Sequence, residues 1–338
     1  MAFKTLNRIG ALALLAAACT AAHATTIDLG VAGGYSGFFF GDVNGAADVE
    51  GRLAVGGNLT AGFDVGYRNA YGGTAPSLVV AGSASLTSPW GQAGTIYNGP
   101  SSAIDTNASI GPAVPWLPSQ VNYGDIVYGG TLTAASWQYG NATQDAGYID
   151  FTAAKAQLLA LSGSLSALSQ NGSWSLTAGG VSLVGDGQSD VQVFNLGDTA
   201  LANLTLSNVK AGAHIIINST LTNVVFSGDL GGDRADSTDG LAAFRDRLLF
   251  NLGNASSVSV NTFLNGSVLA VGAAVTGSGH LEGTLIADSL SPSANGSKLE
   301  LGYEPFVPTT AVPEPRSYAL MLAGLMAVVA LSRRRQPR

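Results

Sequence analysis

Between residues 50 and 290 the chain alternates short apolar runs with clusters of Gly, Asn and Ser. The first runs are Gly51–Leu59, Ser77–Leu86 and Ile126–Thr133. Val191–Leu196, Leu201–Val209, His214–Asn218 and Val224–Ser227 follow, and then Leu248–Leu252, Val258–Val260, Gly266–Val271 and Gly283–Leu290. Aliphatic and β-branched runs bounded by turn formers are strand signals. Their spacing, roughly 10 to 20 residues, is too irregular for one fixed period but suits strands that stack as successive rungs. The pattern predicts a mainly β fold, an irregular β-solenoid (β-helix-like). A β-sandwich is the alternative that short strands of this kind also permit.

One segment has a different period. Phe151, Ala154, Leu158, Leu161, Leu165 and Leu168 recur at spacings of three and four, which is one apolar face of a helix. Asp150 stands at the N-cap position and Asn171-Gly172 is a natural stop, so a helix is expected over about 150–171. Gly163 weakens it by about 1 kcal/mol, so it must be held by packing along the solenoid. From Tyr67 to Tyr148 the chain is rich in Gly, Pro and aromatics, with Trp90, Trp116 and Trp137, and long excursions from the strand core are expected there. Such tryptophans either cover the core or stack on sugar rings; the first reading is favoured.

Both ends depart from this pattern. Lys4 and Arg8 precede the apolar run Ile9–Ala18, and Ala22-His23-Ala24 supplies small residues at Ala22 and Ala24 for cleavage, as in a secretory signal peptide spanning 1–24. Cys19 follows Leu15-Ala16-Ala17-Ala18, a loose lipobox with a small residue where a larger aliphatic is usual. At the other end Val312-Pro313-Glu314-Pro315 is followed by the uncharged run Tyr318–Leu331 and by Arg333, Arg334 and Arg335. Fourteen apolar residues are short for a bilayer span, which needs about 17–25. The arginines favour the cytoplasmic side. A Pro-Glu-Pro box, an apolar stretch and an arginine cluster in this order resemble a PEP-CTERM sorting signal. That resemblance implies an exosortase-type processing enzyme as partner, a transient stay in the inner membrane and a final place at the cell surface or outside the cell. The expected organisation is signal peptide 1–24, β-rich body 25–308, and a linker with sorting tail 309–338 that holds a short transmembrane segment, 318–331.

Removing both ends changes the charge. The body 25–308 holds 8 Lys+Arg against 21 Asp+Glu, a net of −13. A body this acidic is a poor ligand for nucleic acid or an anionic membrane. The single cysteine lies in the signal peptide, so the body has no disulfide, thiol nucleophile or cysteine metal site. The 45 glycines of the full chain suit an exported β protein with many tight turns.

The body also resembles a known family. Asp48-Val-Glu-Gly-Arg-Leu-Ala-Val-Gly-Gly-Asn-Leu59 is similar to the opening signature of the choice-of-anchor A family. His214–Ser219, Leu248–Leu252, Gly266–Val271, Gly279–Leu290, Glu300 and Glu304-Pro305-Phe306 are similar to its second half. Ala270-Val271-Gly272 departs from the expected Ala-Pro. The resemblance implies an exported body that carries interchangeable anchors, a surface or matrix protein and no catalytic residues to carry over. The plan also resembles the β-solenoid of bacterial ice-binding proteins, a likeness of fold only.

Candidate chemistry is sparse. Outside the signal peptide the histidines are His214, in a strand, and His280, two residues from Glu282. A His-x-Glu pair can bind a metal from one strand face, but no third ligand lies nearby in sequence. Asp229, Asp233, Asp236 and Asp239, on a Gly-rich loop, are hard oxygen donors of the kind calcium takes, without EF-hand spacing and with Arg234 competing. The default for that loop is a solvated acidic turn, and no cofactor is expected. There is no Gly-x-Ser-x-Gly elbow and no P-loop. The expectation is a non-enzymatic structural or adhesive protein of the surface, biofilm or exopolysaccharide matrix. A carbohydrate- or ice-binding module on a solenoid face is the alternative, and a polysaccharide-cleaving enzyme a further one. Extracellular polysaccharide is the expected partner.

Overall fold

Parallel pairing governs almost every strand. In the computed structural model, which describes residues 26–70, 73–99, 122–232 and 239–309 together with Gly324, the strands stack rung on rung into three-faced coils. Among the named strands only the hairpin Ser173–Thr177/Gly180–Val184 pairs antiparallel. Parallel neighbours need a crossover, which each coil supplies through its other two faces. The fold is therefore the expected irregular β-solenoid and not a sandwich. The body Asp28–Pro308 is one compact unit.

The rung order is not the chain order. On the first face Val191–Gly197, His214–Ser219, Leu248–Asn251, Ser267–Gly277 and Leu285–Leu290 lie side by side. Leu285–Leu290 then pairs with Gly37–Phe39, after which come Leu53–Val55, Leu78–Val80, Ile126–Tyr128 and Ala142–Gln144. The chain thus starts mid-stack and builds out to one end. The helix Phe151–Ser166 carries it back along the side, and it builds from the far end until it meets its own beginning.

Each face sends an apolar ladder inward. Phe250, Val268, Leu285 and Leu53 form part of one, and Leu264, Leu281, Leu301, Val49, Val65 and Ile96 form another, all fully buried. Each such side chain contributes about 1.5–3 kcal/mol through burial. Inward ladders alone would give strict alternation; the near-continuous aliphatic runs arise where the outer side of the first face is covered too, as at Ile216 and Leu249, which are also fully buried.

The helix lies on the outer side of the first face. Asp150 Oδ1 accepts the Ala153 N–H at 2.9 Å, capping it as expected. Ala154, Leu158 and Leu165 are buried with Ser162 among them, and Phe151 packs on Phe38 with centroids 5.1 Å apart. Beneath it runs a polar ladder. Ser162 Oγ donates to Asn251 Oδ1 at 2.6 Å, Asn251 Nδ2 to Asn218 Oδ1 at 2.8 Å, and Asn218 Nδ2 to Asn195 Oδ1 at 2.8 Å. The ladder meets the need of buried amides for partners and fixes the helix in register.

One expectation is corrected. The helix ends at Ser166, not near 171, because the next residues are used by the restarting solenoid. Asn195 Nδ2 bonds the Leu168 carbonyl at 3.2 Å, Gln170 Oε1 takes the Asn195 N–H, and Asn171 Oδ1 takes the Val193 N–H. Three rungs of the first face, at Leu78–Val80, Ile126–Tyr128 and Ala142–Gln144, run through the stretch from Tyr67 to Tyr148, and residues 71–72 and 100–121 of it lie outside the described residues.

Candidate functional site

The second face is exposed, and its register can be followed for eight rungs. Val224, Val258, Val275, Leu290, Val43, Leu59, Ala84 and Leu132 stack inward. The residues before them form one outward column: Asn223, Ser257, Ala274, Ser289, Asp42, Asn58, Ser83 and Thr131. The residues after them form a second: Val225, Ser259, Thr276, Ser291, Asn44, Thr60, Ser85 and Thr133. Seven steps of about 4.8 Å make this surface about 34 Å long. Only Asp42 in the two columns carries a charge.

Half of the first column is locked to itself. Asp42 Oδ1 accepts the Asn58 N–H at 2.7 Å, Asn58 Oδ1 accepts the Ser83 N–H at 3.0 Å, and Ser83 Oγ accepts the Thr131 N–H at 3.0 Å. From Asp42 to Ser83 each side chain therefore lies along the stack and bonds the next rung, which keeps this half of the face low. Glycines make the corner before it. At Gly57 a Cβ would fall 2.6 Å from the Gly41 carbonyl carbon, and at Gly82 it would meet the Gly57 carbonyl oxygen at 2.5 Å. Val55-Gly-Gly-Asn-Leu59, Val80-Ala-Gly-Ser-Ala84 and Tyr128-Gly-Gly-Thr-Leu132 are thus one repeated corner, concealed in the sequence by its uneven spacing.

Two tryptophans stand where this face turns into the third. Trp90 is 88% exposed and Trp137 is 55% exposed. Trp116 lies outside the described residues. Both indoles present most of their surface to solvent.

A charged cluster occupies the seam where the last coil meets the first. Arg68 Nη1 bonds Glu50 Oε2 in a very short contact and lies 3.3 Å from Glu282 Oε1, while Arg245 Nη1 stands 3.9 Å from the same oxygen. His280 sits between two acids, Nε2 at 3.2 Å from Glu282 Oε1 and Nδ1 at 3.1 Å from Glu300 Oε1, with Phe263 stacked on its ring. The Tyr67 hydroxyl donates toward Asp48 at 3.2 Å and Glu50 at 3.3 Å. Burial opposes the imidazolium, but hydrogen bonds and charge from Glu282 and Glu300 outweigh it and push His280 up to about 10. Burial, with Glu300 and Glu50 adding, pushes Asp48 up to about 7. Burial also raises Glu50, whereas at Glu282 burial is overcome by His280, Arg68 and Arg245, which hold it below its usual range.

With Asp48 protonated, three carboxylates face three cations and the cluster is balanced. Glu50, His280 and Glu282 bring one donor atom each within 4.8 Å of one another. The third partner for the His-x-Glu pair thus comes from the first coil, 230 residues away in sequence, which no local motif could show. Two guanidiniums already occupy the acid pair. The arrangement fits an ion-pair clasp between the halves of the stack better than a metal centre.

The other sequence candidates are engaged in local turns or lie outside the described residues. Asp229 Oδ1 accepts the Gly231 N–H, and the Asp239 carboxylate takes the N–H groups of Gly232 and Leu241. Both are turn caps, and Asp233 and Asp236 lie outside the described residues. So do Ala22, Ala24, the Val312–Pro315 box, residues 318–331 apart from Gly324, and Arg333, Arg334 and Arg335. Among the described residues no helix is long and apolar enough to cross a membrane. His214 is structural: Nε2 lies 2.7 Å from the Val307 carbonyl oxygen and the ring packs edge-on against Phe306.

These features define a β-solenoid with a long, low, polar face and a clasped seam. Residues 28–300 match the family described as "Putative Ice-binding-like adhesive domain", and the chain belongs to that family. Among solved structures, an ice-binding protein from the Antarctic ascomycete Antarctomyces psychrotrophicus aligns at 14% identity and a TM-score of 0.35, over 82% of this chain and 98% of that one, a similarity too slight to bear on function. No curated protein matches the chain.

Proposed function

We propose that this chain is an exported, non-enzymatic adhesive protein of the cell surface or extracellular matrix, and that it attaches through its second face. The observation that carries the reading is the face itself: eight rungs of small, almost all uncharged side chains, mostly hydroxyl and amide, held low from Asp42 to Thr131 by rung-to-rung hydrogen bonds. Such a surface offers many weak contacts in a fixed lattice, which suits adhesion to an extended repetitive partner. It lacks a cleft in which two carboxylates flank a bond, the arrangement glycoside hydrolysis needs. The Pro-Glu-Pro tail with its arginine cluster supports delivery through the inner membrane and an exosortase-type enzyme.

The test is a double substitution, Thr60→Lys with Ser83→Lys, in the full chain expressed in its own cells. Export and folding should be retained, and the fraction bound to cells and matrix should fall several-fold. Unchanged retention would refute the assignment to this face. Deleting residues 312–338 tests the sorting part separately, since it should alter where the protein accumulates while leaving the face intact. Ice is the second reading, favoured by the family's description and by Thr276, Thr60 and Thr133 in the second column. The column is not a regular threonine ladder, and an absence of thermal hysteresis in the purified protein would eliminate ice.

A further inference from the structure

We propose that Trp90 and Trp137 form a stacking platform at the edge of the second face, and that the ligand taken up there is a neutral polysaccharide. This rests on the adhesive reading of that face and names what it binds.

Both indoles are displayed on built turns. Trp90 tops the turn closed by the antiparallel bridge of Thr87 with Ala93. There the Ser88 N–H bonds the Gln92 carbonyl oxygen at 2.8 Å and the Gly91 N–H bonds the Ser88 carbonyl oxygen at 2.9 Å. Ser88 Oγ also accepts the N–H groups of Trp90 and Gln92 at 3.3 and 3.1 Å, and Gly91 takes the positive φ, +79°, that closes the loop. Trp137 lies on the corresponding turn of the next coil, where the Gln138 N–H bonds the Ala135 carbonyl oxygen at 3.0 Å.

One buried side chain ties the two turns together. Gln138 is 1% exposed. Its Oε1 accepts the Ala135 N–H at 2.6 Å, and its Nε2 donates to the carbonyls of Leu86 at 3.0 Å and Gly94 at 2.6 Å. Those carbonyls bracket the Trp90 turn. The backbones of the two turns are therefore fixed relative to each other by a satisfied internal network, and each turn displays its indole to solvent.

The chemistry selects the ligand. An exposed aromatic face takes the C–H face of a pyranose, and adjoining Thr60, Ser85 and Thr133 supply hydroxyl partners for the sugar's own. The body's net charge of −13 repels polyanions. Lys298, a cation at this edge, donates toward Gln92 Oε1, 3.4 Å away. A neutral chain of several sugars matches both the length and the charge of the face.

The experiment is affinity electrophoresis and tryptophan fluorescence of the purified exported protein with dextran, a β-glucan and a galactomannan, with alginate as the polyanion. We expect retardation by at least one neutral polymer and none by alginate. Trp90→Ala with Trp137→Ala should weaken the binding at least tenfold, with an unchanged far-UV spectrum and melting midpoint. Gln138→Leu should weaken it several-fold while leaving both indoles present. Wild-type protein that binds none of the neutral polymers, or binds alginate best, overturns the proposal, as does a double variant that binds like wild type. Thr60→Lys with Ser83→Lys separates the two claims. If it abolishes binding and the tryptophan variant does not, the platform is wrong and the face stands. If the reverse holds, the face is wrong and the platform stands alone. Binding only to protease-sensitive surfaces would make the partner a protein and also overturn the proposal.

Discussion

Replacing His280 by Gln should flatten the alkaline side of the stability curve. In the folded chain the imidazole is held between Glu282 and Glu300, and its pKa is pushed from 6.5 up to about 10. A group whose folded pKa is raised stabilises the fold fully below its unfolded pKa and loses that contribution as pH rises toward the folded value. The window here runs from about pH 6.5 to 10. At about 1.4 kcal/mol per unit the whole shift is about 5 kcal/mol. Glu300 is 35% exposed, so solvent screening brings the expected figure to about 2–4 kcal/mol. Urea unfolding followed by far-UV circular dichroism at pH 6, 8 and 10 should show wild type well above His280→Gln at pH 6 and the two converging by pH 10. Subtracting the variant removes the alkaline titration common to both proteins. A constant difference across the three pH values would refute the placement of a protonated histidine in the seam.

Asp48 works in the same direction at lower pH. Its pKa is raised from 3.8 to about 7, so its contribution is present below about pH 4 and lost as pH rises to 7. Asp48→Asn should therefore raise the urea midpoint at pH 8 and leave it little changed at pH 4. Leu158→Ala, at the centre of the buried helix stripe, should cost about 2–4 kcal/mol by urea unfolding. Gly57→Ala should destabilise measurably in the same assay, because the added methyl meets the Gly41 carbonyl group and the Asp42 carboxylate at a corner with no room.

How much of this was readable in advance depended on how local each cause is. The inward ladders were legible because a residue such as Val258, Leu281 or Leu285 must be apolar wherever its rung falls in the stack. The helix was legible from its three–four spacing, yet its end was misjudged because Gln170 and Asn171 serve a strand rather than a helix terminus. The second face was only partly legible. Its corner recurs at Gly41, Gly57, Gly82 and Gly130, but loops of very different length separate the copies and hide the repeat. The seam was not legible. His280 and Glu282 stand two residues apart, whereas Arg68 joins them from 214 residues away, a pairing set by how the two halves dock.

That docking governs the order in which the molecule can be made. The strand Gly37–Phe39 is made well before Leu285–Leu290, and one of its edges waits for that later strand. Non-local pairing of this kind slows folding, since loop-closure entropy is lost before contacts return it. Until the second half arrives, the early rungs carry an open edge on that side, the kind of surface that pairs with the wrong chain. A chain built this way gains from keeping the early half unpaired until the late half is made, and Glu282 reaches Arg68 only when the late coil has found the early one.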